Sequence, residues 1–497
     1  MDQQPQASSP AGFATPAEPT RTAGASDSAQ SAATGATGAT SATSATSATS
    51  ATSAARRGLG RRQFLGQSAT AVANTTVAGL AASLAWPGGF HSATAQDAAA
   101  KPSPQDRLVV GVMGVNGRGS YLSQVFSANP GAVVAAVCDV DERALAKGVS
   151  TVEKATGKAP RTERDFRRLL DDKSIDILVV AAPNHWHAPA TILGCAAGKH
   201  VYVEKPCSHN PREGELAVEA ARKYQRVVQM GSQRRSRASV IEAIGKLHSG
   251  MIGRVMFART WYTNRRGSIG RGKQTDVPAW LDYNLWQGPA AERPYRDNLI
   301  HYNWHWFWNW GNGELGNNGV HVLDVARWGL GVDYPSRVVA AGGKYRHDDD
   351  QETPDTHQVT FDFGDKTITW EGLSWSPYGP GGEMFGATFH GDKGTMLLLD
   401  SQYTIFDLQN KEVGKFPGKG GDGEHIANFL QCIRQNERPT ADIEEAHKST
   451  LLCHLGNIAY RTSSTLNCDP KNGHILNNAP ATQLWTREYR PGWEPKV

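Results

Sequence analysis

Short apolar runs alternate with segments of helical character in the first half of the folded region. Residues 108–113 form the first run, and a glycine turn then leads into a predicted helix at 120–128. The later runs and helix candidates cover residues 132–138, 166–171, 175–181, 188–197, 200–203, 211–224 and 227–230. This alternation predicts parallel strands joined by crossover helices. Ligands of such sheets bind beyond the carboxyl ends of the strands, so the loops that follow the runs deserve the closest inspection.

The carboxyl-terminal half shows a different pattern. Residues 359–363 and 367–370 predict paired strands around a turn at Gly364-Asp365. A further apolar run and two segments of helical spacing follow at residues 397–399, 424–435 and 442–462. We expect the two helices to be packing elements.

These patterns predict an α/β protein with five parts. They are a leader with a signal peptide (1–95), a linker (96–106), a Rossmann dinucleotide-binding domain (107–230), a second α/β domain (231–465) and a surface-wrapping tail (466–497). The leader is dominated by Ala, Ser, Thr and Gly and should be disordered, because it cannot bury enough apolar surface to offset chain entropy.

Charge and cysteine content exclude several protein classes. Five of the 52 basic and three of the 48 acidic residues lie in the leader, which leaves 47 against 45 in the rest of the chain. This balance argues against nucleic acid as a partner, since phosphate binding requires a basic excess on some face. Six cysteines without a C-x-x-C spacing predict no structural disulfide.

The segment around Arg61 and Arg62 resembles a twin-arginine export signal. No charged residue follows until Asp97, and the intervening stretch is mildly apolar and contains a small-residue cleavage site at Ala93-Thr94-Ala95. The alternative is a basic linker before a poor transmembrane helix, which is disfavoured because Ala, Thr, Gly and Pro87 partition badly into hydrocarbon. We therefore expect the twin-arginine machinery to be a partner and the destination to be periplasmic or otherwise extracytoplasmic.

The turn after the first predicted strand has the context of a dinucleotide fingerprint. Its candidate cofactor-binding residues are Gly114, Asn116, Gly117, Arg118 and Gly119. Glycines there allow the backbone to approach a pyrophosphate at the start of the following helix, although Asn116 departs from the usual pattern. Asp139 ends the second run, where a carboxylate could bind ribose hydroxyls, and Asp141 adds a second negative charge. Both charges favour NAD over NADP.

Polar loops after the later strands complete the predicted cofactor site. They contribute Pro183, Asn184, His187, Glu204, Lys205 and Gln233. The glycine turn, Asp139, the Pro-Asn-His loop and above all Glu204-Lys205-Pro206 together resemble the Gfo/Idh/MocA oxidoreductase family, over most of residues 107–465. The resemblance implies a Rossmann domain followed by an α/β domain with a large, mostly antiparallel open sheet. It also implies that Lys205 is a catalytic residue pointing toward nicotinamide and substrate, and that the chain forms a homodimer or homotetramer.

An aromatic stretch supplies candidate substrate contacts. Seven of the 14 tryptophans lie between Trp280 and Trp328, and aromatic and polar residues alternate around Trp304, His305 and Trp306. Indole faces can pack against the C–H faces of a sugar while His reads its hydroxyls. The alternative is an aromatic core or a subunit interface, where tryptophan is also enriched.

A glycine-rich loop before a predicted helix contains the second set of catalytic candidates. His321 suits proton removal at neutral pH, and Asp324 and Asn317 could share its helix face as substrate contacts. The segment resembles the family's second signature, in which an Asp often stands four residues before the His. Asn317 occupies that position here, and an amide cannot accept a proton. His321 paired with Lys205 therefore replaces an Asp–His relay.

These residues support three classes of function. The first is a nicotinamide-dependent oxidoreductase acting on a sugar, polyol or glycoside hydroxyl, with NAD tightly held because free NAD is scarce outside the cytoplasm. The second is an NAD-dependent glycosidase that uses transient oxidation and elimination. The third is a non-catalytic sugar-binding protein, which the intact Lys205 and His321 disfavour. Neither a metal centre nor a serine nucleophile is predicted, because H-E-x-x-H and G-x-S-x-G are absent from the sequence.

Overall fold

The structure, a computed structural model, describes residues 106–497. The predicted leader, the twin-arginine segment and all but the last residue of the linker lie outside the described residues.

The first domain is built on a parallel sheet. Its strands are β1 (Leu108–Met113), β2 (Ala132–Cys138), β3 (Arg161–Glu163), β4 (Ile177–Val180), β5 (His200–Val203) and β6 (Val228–Met230). The helices between them are α1 (Arg118–Ala128), α2 (Glu142–Thr156), α3 (Arg167–Asp171), α4 (Asn184–Ala196) and α5 (Pro211–Lys223). The strand order β3-β2-β1-β4-β5-β6 is that of a doubly wound dinucleotide fold, as predicted.

The strands of this domain form where the apolar runs were identified. β1, β2 and β5 have the predicted bounds, and the side chains of β4 are buried on both faces, as parallel strands between two helix layers require. The sequence pattern missed β3 because its three residues are not buried and form no apolar run.

The second domain contains a ten-stranded sheet. Its strands are β7 (Val255–Thr263), β8 (Arg337–Gly343), β9 (Thr356–Asp362), β10 (Thr367–Leu373), β11 (Phe385–Gly391), β12 (Thr395–Leu398), β13 (Gln402–Phe406), β14 (Glu412–Pro417), β15 (Leu466–Cys468) and β16 (Ile475–Leu476). They lie in the order β14-β13-β12-β11-β7-β10-β9-β8-β15-β16, and only the β7–β10 pair is parallel. The predicted β9–β10 hairpin is present, with Thr367 opposite Asp362.

Helices cover one face of the large sheet. The helices of this part of the chain are α6 (Ala238–His248), α7 (Tyr283–Gln287), α8 (Val320–Leu330), α9 (Asp422–Gln435), α10 (Ile443–Thr462) and α11 (Ala479–Gln483). Leu323 of α8 and Leu455 of α10 share one core with Val359 and Trp370 of the sheet. Buried residues alternate with less buried ones along β9, so its opposite face is left open.

Helix α9 and the carboxyl-terminal tail both depart from a simple division into domains. Phe429 of α9 packs against Tyr202 of β5, with 5.9 Å between the ring centroids. The Tyr202 ring also contacts Phe126 of α1 in the same core, at a centroid distance of 5.8 Å. The tail adds β15 and β16 to the large sheet and also wraps the first domain, where Arg487 pairs with the buried Glu213 at 2.7 Å. Residues assigned to the second domain and the tail therefore complete the first.

All six cysteines lie among the described residues as buried free thiols. Burial raises the pKa of Cys195 and Cys207 to about 12, so these thiols stay protonated at neutral pH. Within residues 106–497, no helix combines the length and apolar character needed to cross a membrane.

A buried ion pair joins α8 to the segment after β6. Arg235 donates from Nε and Nη2 to the two carboxylate oxygens of Asp324, both at 2.8 Å, and Ser449 Oγ of α10 donates to the same carboxylate at 2.6 Å. The side chains of Arg235 and Asp324 are only 6% and 1% exposed. This contact fixes α8 relative to the segment that leaves the first domain after β6.

Breaking this pair should destabilise the fold strongly. Arg235→Met leaves the buried Asp324 carboxylate uncompensated, and we expect the free energy of unfolding to fall by about 3–5 kcal/mol. Chemical denaturation measures the change. The matched control is Arg337→Met, which breaks the more exposed pair with Asp362 and should cost at most about 1 kcal/mol. Equal losses in the two variants would contradict a structural role for the buried pair.

Candidate active site

A cleft of about 570 Å³ opens beyond the carboxyl ends of β1, β2, β4 and β5. Most of the residues predicted for the site line it. They are Gly114, Asn116, Gly117, Arg118, Asp139, Pro183, Asn184, His187, Glu204, Lys205, Gln233, Trp304, His305, Asn317 and His321. The parallel sheet brings together loops that are distant in sequence, and the start of α8 closes the cleft from the second domain.

The glycine turn leaves room where a dinucleotide fold needs it. Gly114 has a φ of +84°, and a Cβ there would lie 2.7 Å from the backbone nitrogen of Ala182. Gly119 does not line the cleft but allows the turn to close, since a Cβ would meet the Gly114 carbonyl oxygen at 1.8 Å. A Cβ at Gly117 would meet open space, and no side chain among the described residues caps α1 there. The first N–H groups of α1 are therefore available to a phosphate.

Asp139 and Asp141 occupy different environments. Asp139 lines the cleft and accepts hydrogen bonds from the backbone N–H groups of Val115 at 2.7 Å and Asp141 at 3.0 Å. Burial raises its pKa, partly offset by these bonds. The buried Asp141 side chain instead caps α2 and pairs with Arg143 and with His301 Nε2, the latter at 2.6 Å. The interpretation of Asp141 as a free charge against a 2′-phosphate was wrong, because its charge is already compensated; Asp139 alone remains in place for that role.

Arg118 connects the glycine turn to the loop that follows β5. Its Nε donates to Glu204 Oε1 at 2.8 Å, and its Nη2 pairs with Asp422 at the start of α9. Burial alone would lower the pKa of Arg118, but the charges of Glu204 and Asp422 raise it above its ordinary value. The guanidinium stays charged beside the cleft and next to Lys205.

Lys205 and Asn317 meet across the two domains. The Lys205 Nζ donates to the backbone oxygen of Asn317 at 2.6 Å and to its side-chain Oδ1 at 2.9 Å. Asn317 lies in a single π-helical turn, Leu315–Gly319, directly before α8, a local geometry that recurs at functional sites. Burial lowers the pKa of Lys205, although Glu204 and Glu314 oppose the shift.

His321 faces the same cleft in an environment that disfavours its charged form. Burial lowers its pKa well below the usual value, and the positive charges of Lys205 and Arg234 add to the shift. Its buried Nδ1 has no hydrogen-bond partner among the described residues. The ring is therefore neutral at physiological pH and suited to hydrogen bonding with a ligand more than to holding a proton.

Most of the aromatic stretch forms a core. Trp304 and His305 line the cleft with their rings stacked at 3.6 Å, but Trp306 does not line it. Trp306 is 3% exposed, and the guanidinium carbon of Arg266 lies 4.8 Å from the centroid of its ring. The prediction of Trp306 as a substrate contact was wrong. Residues 303–306 form a 3₁₀ turn, in which alternating residues do not point to opposite sides as they do in a strand. The aromatic cluster comprises Tyr283, Trp286, Tyr295, Trp304, Phe307 and Trp310.

Asp324 also lies away from the cleft. The buried pair with Arg235 described above occupies its carboxylate. Its prediction as a substrate contact was wrong. Asp324 lies three positions after His321 on α8, and its side chain is directed toward Arg235 in the segment after β6 instead of toward the cleft.

Sequence reasoning missed two further residues. Glu314 precedes the π-helical turn, is 4% exposed and accepts a hydrogen bond from Arg266 Nε at 2.6 Å. His301 lines the cleft and is held by Asp141. Nothing in the sequence pairs Glu314 with Arg266, 48 positions earlier, or His301 with an aspartate 160 positions earlier.

The residues present fit a dinucleotide. The turn offers uncapped N–H groups and close approach at its glycines, and Arg118 supplies a positive charge. Asp139 presents a carboxylate at the end of β2. Among residues 106–497, the structure contains no group of three or more His, Cys, Asp or Glu side chains arranged to hold a metal ion.

Two models of one oxidoreductase family match this chain. The one described as "Oxidoreductase family, NAD-binding Rossmann fold" matches residues 108–232. The one described as "Oxidoreductase family, C-terminal alpha/beta domain" matches residues 252–495. The matches cover both domains and identify the first as an NAD-binding domain.

Three individual proteins similar to this chain share at most about a third of its residues over the matched regions. A glycosyl hydrolase family 109 protein of Saccharopolyspora erythraea is 32% identical over 158 residues, which are 31% of this chain and 34% of that protein. An inositol 2-dehydrogenase of Salmonella paratyphi B is 26% identical over 159 residues, 32% of this chain and 46% of that protein. The chain thus spans less than half the length of these relatives. The WlbA dehydrogenase of Bordetella pertussis, solved with NADH and UDP-GlcNAcA, shares the fold at 18% identity with a TM-score of 0.57, over 74% of this chain and 99% of its own.

Replacing Asp139 should alter nucleotide preference. Asp139→Asn removes the only carboxylate at the end of β2 that lines the cleft, so we expect the Kd for NAD to rise about tenfold, the loss of one hydrogen bond to a charged group. Discrimination against NADP should narrow, because repulsion of the 2′-phosphate is removed. Titration calorimetry with both nucleotides measures this. Asp141→Asn is the control, and an equal change in its NAD-to-NADP ratio would contradict the assignment.

Proposed function

The chain belongs to the Gfo/Idh/MocA oxidoreductase family, and from that premise we propose that it oxidises a hydroxyl group of a sugar, polyol or glycoside with NAD. The observation that carries the proposal is the meeting of Lys205, Asn317 and His321 in the cleft that also contains the nucleotide-binding turn. When bound, NAD supplies a hydride acceptor. The residues available to hold it are Asp139, Arg118 and the start of α1.

Lys205 is the better candidate for the group that takes the hydroxyl proton. Two of its N–H bonds point at the oxygens of Asn317, which leaves one position on Nζ for the cleft. That position carries a proton in the ammonium and a lone pair in the neutral amine. Burial favours the neutral amine by lowering the pKa, so Lys205 can accept a proton during oxidation and return it during reduction.

His321 has a supporting role in this proposal. Burial lowers the pKa of its ring most. The positive charges of Lys205 and Arg234 lower it further, because a proton on the ring would add another positive charge near them. The neutral imidazole can still donate or accept a hydrogen bond and so orient a substrate hydroxyl. Trp304 and His305 line the same cleft as a stacked pair of flat rings, a type of surface on which sugar rings can pack.

A redox-neutral glycosidase is the second candidate. It is supported by the relatives named as glycosyl hydrolase family 109 proteins, including the one from Saccharopolyspora erythraea. In such a reaction a sugar hydroxyl is oxidised to a carbonyl, which acidifies the neighbouring C–H. Loss of that proton expels the glycosidic leaving group, water adds to the resulting double bond, and the carbonyl is reduced again. Lys205 would remove the hydroxyl proton in either reaction, and in the glycosidase it would return a proton to that oxygen when the carbonyl is reduced.

One pair of assays separates the candidates. Protein loaded with NAD is incubated with a panel of free sugars and polyols while absorbance at 340 nm is recorded, and in parallel with chromogenic glycosides. Stoichiometric NADH from a free sugar supports the oxidoreductase. Release of the chromogenic aglycone without net NADH supports the glycosidase. Neither response over a broad panel would contradict both proposals.

Removing the Lys205 ammonium should abolish turnover without removing the nucleotide. For Lys205→Met we expect kcat to fall about a thousandfold, within the range of general acid–base catalysis, with NAD affinity unchanged. The control is Lys199→Met, just before the opposite end of β5, where the lysine bonds to backbone carbonyls. That variant should lose stability but keep its kcat. Wild-type turnover in Lys205→Met would remove this residue from the reaction.

The pH dependence of oxidation should report on Lys205. Oxidation requires the neutral amine, so the rate should rise with pH through the Lys205 pKa, which burial places below the usual lysine value of about 10.4. Profiles of kcat/KM measure this limb. His321 has a pKa far below about 6.5, and it should contribute no limb near neutrality. A limb near pH 6–7 that disappears in His321→Asn would contradict the assignment.

We also propose that the protein is exported and self-associates. Export is supported by Arg61 and Arg62 ahead of an uncharged stretch, and it implies tight retention of NAD. Fractionation of cells producing the wild-type chain and the Arg61→Lys, Arg62→Lys double variant tests it. Self-association is supported by the face of the large sheet that the helices leave open, as along β9, and light scattering measures the oligomeric state.

A further inference from the structure

The orientation of the Asn317 side chain is fixed from both sides. Its Oδ1 faces the Lys205 Nζ at 2.9 Å, and its Nδ2 faces Glu314 Oε1 at 3.4 Å. A flipped amide would set Nδ2 against an ammonium and Oδ1 against a carboxylate. Both contacts would then be repulsive, so the chemistry of the neighbours leaves only one orientation.

Glu314 is itself held in place. Arg266 donates to it from Nε at 2.6 Å and from Nη2 at 3.3 Å, and the Asn318 side-chain amide donates to the same carboxylate. The Glu314 side chain is 4% exposed. Charge-assisted hydrogen bonds from a guanidinium hold the Glu314 carboxylate in one position, so it is a reliable acceptor for the amides that follow it.

The consequence reaches Lys205 through Asn317. With Oδ1 and the backbone oxygen both turned toward Nζ, two of its hydrogen-bonding positions are occupied and the remaining one is directed elsewhere. Without the carboxylate, the Asn317 side chain could turn its Nδ2 toward Lys205 and lose one of these contacts. The Lys205 amine would then be free to rotate away from a productive direction.

We propose that Glu314, held by Arg266, is a positioning residue that orients Asn317 so that Lys205 presents one acid–base position to the cleft. The inference deepens the proposed function, on which it rests, because it assumes that Lys205 is the acid–base group. It also explains how an asparagine serves where related sequences often carry an aspartate: the carboxylate lies one helical turn earlier and acts through the amide.

The charge of Glu314 also acts on Lys205. Burial lowers the Lys205 pKa most, Glu204 and Glu314 raise it, and Arg118 and Arg266 lower it further. The positive charge of Lys205 lowers the pKa of three neighbouring histidines, which are His187, His305 and His321. Each of these rings has a pKa lowered by burial. They are neutral when Lys205 titrates, so the two carboxylates and two guanidiniums set the sign of any change.

The test uses Lys205 reactivity in the protein without nucleotide or sugar. Acetic anhydride acylates only the neutral amine, so mass spectrometry of Lys205 labelling against pH gives its titration midpoint. Glu314→Gln should lower this midpoint, because a negative charge is removed. Arg266→Met should raise it, because a positive charge is removed and Glu314 remains. The matched control Glu371→Gln breaks an ion pair with Arg259 on the large sheet and should leave the midpoint unchanged.

Turnover provides the second readout. In Glu314→Gln we expect kcat to fall about tenfold, the factor of one ordinary hydrogen bond, with KM nearly unchanged. Glu314→Asp, which retains the charge, should recover part of kcat. A merely structural role would lower thermal stability without moving the labelling midpoint.

The outcomes are distinct. A folded Glu314→Gln variant with the wild-type midpoint and kcat would overturn the proposal. If that variant does not fold, Arg266→Met decides, and an unchanged or lowered midpoint would overturn it. Labelling needs no substrate, so failure of the proposed function appears separately. In that case the variants show the expected shifts of the labelling midpoint, but the wild-type protein turns over no sugar or glycoside.

Discussion

The hydrogen-bonded contact between Lys205 and Asn317 is the constraint on which the rest of the site depends. Lys205 lies two residues after the end of β5 in the first domain, and Asn317 precedes α8 in the second. Neither domain alone contains both groups. The buried pair between Arg235 and Asp324 fixes α8 against the segment that follows β6, and the packing of α9 on β5 connects the two domains. The position of one amine therefore depends on contacts throughout the interface.

Electrostatics divide the work between the two catalytic candidates. Burial lowers the pKa of His321, and the positive charges of Lys205 and Arg234 lower it further, so its ring stays neutral. The same burial brings Lys205 closer to a neutral amine, while the carboxylates nearby prevent the shift from becoming larger. One residue is thereby suited to proton transfer and the other to orientation. Both proposed reactions begin with removal of a hydroxyl proton, so this division serves either one.

Sequence patterns predicted the elements whose burial is simple. β1 and β2 are apolar runs bounded by turns, and the pattern placed both ends of each. Residues of the first domain that line the cleft were predictable because the carboxyl edge of a parallel sheet collects its loops. Asp324 and Trp306 were misassigned because local spacing does not reveal which long-range partner a side chain meets. Glu314 was missed for the same reason: its importance comes from Arg266 and Asn317, and only the folded chain brings Arg266 to it.

The most direct measurement is a crystal structure of the protein with NAD and a sugar or glycoside bound in the cleft. The account predicts that Lys205 Nζ keeps its contacts with Asn317 and lies within about 3 Å of one oxygen of the sugar, close enough for proton transfer. His321 should contact the same oxygen. A sugar oxygen beyond hydrogen-bond reach of Lys205, or an Nζ turned away from Asn317 toward the nucleotide phosphates, would contradict it.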